Sequence, residues 1–262
     1  MSFLPSTLTP SPWFLDLERA LVTYTPNQTR SNEVIEWFSG RDDHAAMIAD
    51  LRAFFDEPTI DTARAACTTY FRLHQEGDVE SLRMFTATFA DKRIVAALVD
   101  SILADDDAIE SIATRSYPHP IGFDKLVLHH DRETGWKLRL HIYWRGNNRA
   151  ETERLHLHRF EMASAIVSGE LTNHSWAVTD FENSTGLIPG ISLAPPGQGG
   201  SEQRTMEAYS GYRRDDQGQL RKSHLGTCEL ERLESHTFVS GQSYSQVLTN
   251  AHYVETLSLI HI

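Results

Sequence analysis

The chain has 262 residues, 40% of them hydrophobic and 23% charged, which is enough for one large or two small soluble domains with a buried core. A formal net charge of −12, with no Lys/Arg cluster longer than two residues, argues against a nucleic-acid backbone as partner. No apolar run reaches membrane-spanning length, and the opening MSFLPSTLTPSPW lacks the basic and apolar segments of a secretory leader; a cytoplasmic location without membrane contact is expected.

In chain order, Ser11-Pro12 reads as a helix start, with Trp13, Leu15, Leu17, Leu21 and Val22 near helical spacing. A second short helix is expected over 32–38. A third follows Asp42-Asp43, its Met47, Ile48, Leu51, Phe54 and Phe55 forming one apolar stripe. Pro58 ends it, and Thr59 or Asp61 caps a fourth that runs through Tyr70 and Leu73 towards Gly77. Helices over 79–89 and 91–103 complete the region, with the acidic run Asp105-Asp106-Asp107 as a solvated terminus trailing the last of them.

Ser116-Tyr117-Pro118-His119-Pro120 then breaks the helical pattern, because each proline restricts the residue before it. From Phe123 onward the pattern is β. Strands are expected over 124–130, 136–144, 154–160, 163–168, 171–180, 205–213, 223–234, 237–239, 243–248 and 252–260. Residues 185–201, with five glycines and three prolines, read as a long surface loop, and 214–218 as a hairpin turn. The fold class is therefore α+β: a helical region over 1–115 and an antiparallel barrel or sandwich over 116–262.

Eleven of the 13 histidines lie from His119 onward, so chemistry that needs imidazole belongs to the β region. Strand period places His156 and His158 on one face, about 7 Å apart along the backbone, where two imidazoles can converge on one ion. The preceding strand alternates strictly, with Lys137, Arg139, His141 and Tyr143 on one face and Leu138, Leu140, Ile142 and Trp144 on the other. Alternation alone leaves open whether the polar face lines an interior or meets solvent. If it lines an interior, Arg139 can clamp a substrate carboxylate, with His141 and Tyr143 as hydrogen-bond donors or proton carriers. His129-His130 sends at most one ring inward. Cys67 and Cys228 share no metal-binding or redox spacing and read as reduced packing residues. Elbow, P-loop, dinucleotide and zincin motifs are all missing, and Gly197-Gln198-Gly199-Gly200 resembles a phosphate loop in composition only.

The segment from Leu138 to Leu171 resembles the first motif of the cupin superfamily, G-x5-H-x-H-x(3,4)-E-x6-G: the histidine pair is present, and Gly169 falls eleven residues after His158. Met162 stands where that motif has its glutamate, with Glu161 one residue away. This resembles the branch that binds iron through three histidines, which includes the thiol dioxygenases. The resemblance implies a C-terminal cupin β-barrel of jelly-roll type and a third histidine from a later strand. His252, followed by Tyr253-Val254, suits that position, with His236 as the alternate and Glu161 as an alternate or additional ligand through a bulge. It further implies Fe(II), or alternatively Zn(II) or another first-row divalent ion, acting with O2 on a small polar, thiol or amino-acid-like substrate. Arg139 would then hold the substrate, Tyr143, His141 and Tyr253 would be catalytic, and pairing as a homodimer through edge strands is implied too. A zinc-dependent lyase or isomerase and a non-catalytic binding cupin are the other readings the same residues allow.

Overall fold

The computed structural model describes residues 31–41, 43–119, 123–144, 155–158, 160–181, 191–193, 203–210, 213–214, 220–221 and 224–261. The helix expected around Trp13, the loop glycines 197–200 and the turn at 215–218 lie outside these residues.

Helices occupy the N-terminal part in the expected order. The first, α1 (Ser31–Ser39), buries Val34 and Phe38, and α2 (Ala45–Asp56) buries Met47, Leu51 and Phe54, an i, i+4, i+7 stripe. Thr59 caps α3 (Ile60–Leu73): its hydroxyl accepts from the Thr62 backbone at 3.2 Å, and Thr62 Oγ1 accepts in return from the Thr59 backbone at 3.0 Å. Asp78 caps α4 (Val79–Ala87), which continues into a 3-10 turn over Thr88–Ala90, and Asp91 caps α5 (Lys92–Leu103). The acidic run does not trail α5 as expected. Asp105 instead accepts from the Asp107 and Ala108 backbones and opens a further helix, α6 (Asp106–Ala113), where carboxylates meet the positive end of the helix dipole.

The change to β falls where the sequence places it. Ser116 Oγ donates to the Ile112 carbonyl and accepts from the Val127 backbone, tying the end of α6 to the sheet. The strands are β1 (Tyr117–Pro118), β2 (Asp124–His130), β3 (Lys137–Tyr143), β4 (Met162–Phe181), β5 (Ile191–Leu193), β6 (Gln203–Ser210), β7 (Arg213–Arg214), β8 (Leu220–Arg221), β9 (His224–Val239), β10 (Ser243–Gln246) and β11 (Asn250–His261). All pairings are antiparallel, in the order β1-β2-β3-β11-β4-β9-β6-β5, with β10 also on β4 and β7 pairing β8 apart. The path among the described residues is open, with β1 and β5 at its ends.

Two strands expected over 163–168 and 171–180 are one long strand, β4. Its curvature follows from chain length. Gln246 pairs with Met162 and Asn250 pairs with Ala177, yet four residue steps reach at most about 14 Å. A straight strand would separate Met162 from Ala177 by about 50 Å, so β4 must fold back on itself. The bend falls at Gly169, whose φ of +90° excludes most L side chains, and the β11 register shifts beside it, between Thr256 and Leu259. Beyond the bend, the Gln246 side chain reaches Asn173.

One face of β2, β3 and the start of β4 packs on the helices. Leu126, Leu128, Leu138, Leu140, Ile142, Ala165 and Val167 share a single buried cluster with Leu51, Phe54, Tyr70 and Leu98. Phe71 stacks on Trp136 with ring centres 5.1 Å apart. The helical region is thus fused to the sheet through common core. The alternation of β3 is thereby resolved: its apolar face meets the helices, and Arg139, His141 and Tyr143 lie on the opposite face.

Candidate metal centre

Residues 155–158 do not form the full strand expected over 154–160. They make one bridge to β11, in which His156 N donates to His252 O at 3.0 Å and His252 N donates to His156 O at 2.9 Å. A mutually hydrogen-bonded antiparallel pair puts both side chains on the same face, and His158, two residues on, shares it. Leu155 and Leu157 point the other way and pack with Trp176, Leu230 and Ala251. Alternation thus buries the leucines on one face and gathers the histidines on the other.

The ligand atoms of His156, His158 and His252 all lie within 4.8 Å of one another, and each pair of rings is centred 4.8 Å apart. His158 Nε2 and His252 Nε2 are 2.7 Å apart. Two nitrogens bound at about 2.1 Å to a tetrahedral ion stand about 3.4 Å apart, so a sub-ångström opening admits a metal.

The orientation of His252 is set by a relay of amides. Gln246 Nε2 donates to the Asn250 carbonyl, which can only accept; this directs Gln246 Oε1 towards Asn173 Nδ2 at 3.5 Å. Asn173 Oδ1 is left facing His252 Nδ1 at 2.9 Å. Nδ1 therefore carries the proton, and Nε2 presents its lone pair to the cluster. Burial, reinforced by His156 and His158, holds His252 well below the usual histidine range. His158 is pushed down to about 3, chiefly by burial and then by His156, Arg139 and Lys125. Both rings are neutral near pH 7, as metal ligation requires.

The polar face of β3 adjoins this cluster. Burial lowers the pKa of Arg139, whose guanidinium lies 5.1 Å over the Phe160 ring; among the described residues no carboxylate pairs with it. Phe123 contacts His141 and Tyr143, each with ring centres 4.7 Å away, and stacks on His119 at 4.5 Å. His119 is held down to about 4 by burial, then Lys125 and His156.

Three of the expected residues lie elsewhere. Tyr253 follows His252 directly and so faces the other side of β11, stacked against His174 and Trp176 at 4.5 and 5.3 Å. Glu161 points to the helices: its carboxylate accepts from His74 Nε2 at 2.9 Å and from the Gly77 backbone. His74 Nδ1 meets the Tyr70 hydroxyl at 2.8 Å, so this buried chain pins the start of β4 to α3. His236 sits exposed on β9 beside Glu234. Asn173, Gln246, Lys125 and His119 were not anticipated. Their signals are weak ones: lone buried polar side chains on β strands for the two amides, and proximity that only the strand register reveals for the other two.

Comparison of the chain with protein-family models, with curated proteins and with solved structures finds no match. The structure itself defines an α+β protein with N-terminal helices, a C-terminal antiparallel sheet and three histidines fit to hold one metal ion. No helix among the described residues is long and apolar enough to cross a membrane.

Proposed function

We propose that the protein is a cupin-type enzyme holding one mononuclear metal, Fe(II), on His156, His158 and His252, and that it oxidises a small polar substrate with O2. The carrying observation is the convergence of three imidazoles from two distant segments, with Asn173 fixing the His252 tautomer so that its lone pair faces the other two rings. The folding back of β4 at Gly169, which brings β10 and β11 together, supports a jelly-roll-like arrangement.

When bound, an ion with three neutral ligands keeps its full charge and open positions, where it supplies Lewis acidity and a place for O2 beside a chelating substrate. The chain's own residues supply the rest. Arg139, half-buried and without a carboxylate partner among the described residues, fits a substrate carboxylate bidentately; an amino-acid-like or thiol-bearing acid is therefore the substrate class. Tyr143 and His141, which share a face of β3 and pack on Phe123, would hold or pass a proton near that substrate. Zn(II) is the second reading, because an all-imidazole donor set suits it equally, and it would direct the site to lyase or isomerase chemistry.

The test is O2 uptake by anaerobically Fe(II)-loaded protein, screened against small thiols and amino acids, with Arg139→Ala as a companion. Substrate-dependent uptake, with KM raised in the variant, supports the proposal. Metal binding without O2 uptake, together with turnover by the Zn(II) form, would move the assignment to the second reading. Ligand binding without turnover by either form would leave a non-catalytic binding protein.

A further inference from the structure

The polar face of β2 and β3 carries two cations beside the histidine centre, Arg139 and Lys125. Their relation is fixed by the strand register. Lys125 lies opposite His141 and Val127 opposite Arg139, so the two side chains leave the same face as diagonal neighbours, about 7–8 Å apart at the backbone. Tyr117 of β1, opposite Lys125, and Phe123, two residues before it, stand on that face too.

Ring contacts place the charged ends. The Lys125 ammonium is 5.6 Å from the Tyr117 ring centre and 5.5 Å from that of Phe123, whose ring lies 4.7 Å from those of His141 and Tyr143. The Arg139 guanidinium is 5.1 Å from the Phe160 ring, which in turn is 5.8 Å from the ring of His158, one of the three converging histidines. Both cations also act electrostatically on His158 and His119. One surface therefore runs from the histidine centre past Phe160 and Arg139 to Lys125. Both charged side chains are half-buried and Phe160 is 44% exposed, so a solute can reach this stretch. Asp124, the acid next to Lys125 in sequence, leaves from the opposite face and accepts from Trp144 Nε1 at 2.7 Å.

Like charges side by side on a partly desolvated face favour anions, and a ligand whose first carboxylate is held by Arg139 brings a second within reach of Lys125. We propose, on the reading of the site given above, that Arg139 and Lys125 form a two-point clamp and that the substrate is a dicarboxylic acid. Its first carboxylate meets the Arg139 fork, which offers two parallel donors. Its second meets the Lys125 ammonium, a point charge on a flexible stem that tolerates some variation in chain length.

The test is isothermal titration calorimetry of the full chain, incubated with Zn(II), against malonate, succinate and glutarate. Each is compared at equal ionic strength with the monocarboxylate of the same length. At least one dicarboxylate should bind about tenfold more tightly than its monocarboxylate, as one added charge-assisted hydrogen bond gives. Lys125→Met should remove this preference and leave monocarboxylate affinity unchanged, whereas Lys137→Met, the same loss of charge at the exposed start of β3, should keep it. Arg139→Ala should weaken binding of both kinds of acid. Circular dichroism checks that each variant folds; should Lys125→Met fail to fold, Lys125→Gln replaces it. Equal affinity for the two kinds of acid, or a preference that survives Lys125→Met and so reports chelation of the metal, would overturn the clamp while leaving Arg139 as an anchor. Insensitivity of both kinds to Arg139→Ala would remove the underlying substrate site, and the clamp with it.

Discussion

Replacing Asn173 by alanine removes the acceptor that holds the His252 Nδ1 proton at 2.9 Å while leaving all three histidines in place. Two effects follow. Metal affinity should fall about 10- to 100-fold, the usual consequence of losing the group behind a ligating histidine, which corresponds to about 1.4–2.8 kcal/mol of binding free energy. The metal-free protein should also lose about 1–3 kcal/mol of stability, because a buried N–H is left unpaired. The two effects are separable. A chelator competition titration reports the first, and urea unfolding of metal-free protein the second. Asn173→Asp supplies the control: it keeps an acceptor at the same place and adds negative charge behind the ligand, so it should retain metal affinity better than alanine does. Equal affinity in the wild type and Asn173→Ala would refute the orientation of His252 argued above.

Glu161→Ala should destabilise the protein by about 3 kcal/mol in urea, since it leaves the His74 side chain buried without its carboxylate and takes the acceptor from the Gly77 N–H, yet metal stoichiometry should not change; loss of metal would make Glu161 a ligand after all. Gly169→Ala should cost about 1–2 kcal/mol, because the substituted residue must hold φ near +90°, and a neutral result would remove the bend from that position. His119 is held near pH 4 by burial, so from pH 6.5 down to about 4 the unfolded chain takes up a proton that the folded chain refuses. Stability should therefore decline as pH falls through that window and be unaffected by His119 above it. His119→Asn should flatten this part of the acid limb, measured by unfolding at a series of pH values; an unchanged slope would contradict the assignment.

The helices were legible because their cores repeat at i, i+3 and i+4, as Met47, Leu51 and Phe54 do in α2, and because Thr59 announces a cap. The acidic residues at 105–107 misled because carboxylates suit both a solvated terminus and a helix start; the nitrogens that Asp105 caps become visible only in the structure. Gly169 likewise reads as the end of a strand, and only the pairings of β10 and β11 show that the chain continues through it in a bend. His156 and His158 were legible through strand period alone, and His252 through its likeness to a later cupin motif. The same period, applied one residue further, excludes Tyr253 from the face of His252. The amide relay was not legible: Asn173 and His252 are 79 residues apart, and their meeting depends on the register of β4 against β11. The inward or outward sense of Arg139 depended in the same way on the helices that cover Leu138 and Leu140.

The central claim is tested most directly by elemental analysis of protein purified anaerobically, with His156→Ala, His158→Ala and His252→Ala beside the wild type. About one divalent first-row metal per chain is expected in the wild type and loss of it in each folded variant, as removal of one of three ligands requires. A wild-type protein that binds no metal after incubation with Fe(II) or Zn(II), or one whose metal content survives all three substitutions, would contradict the account.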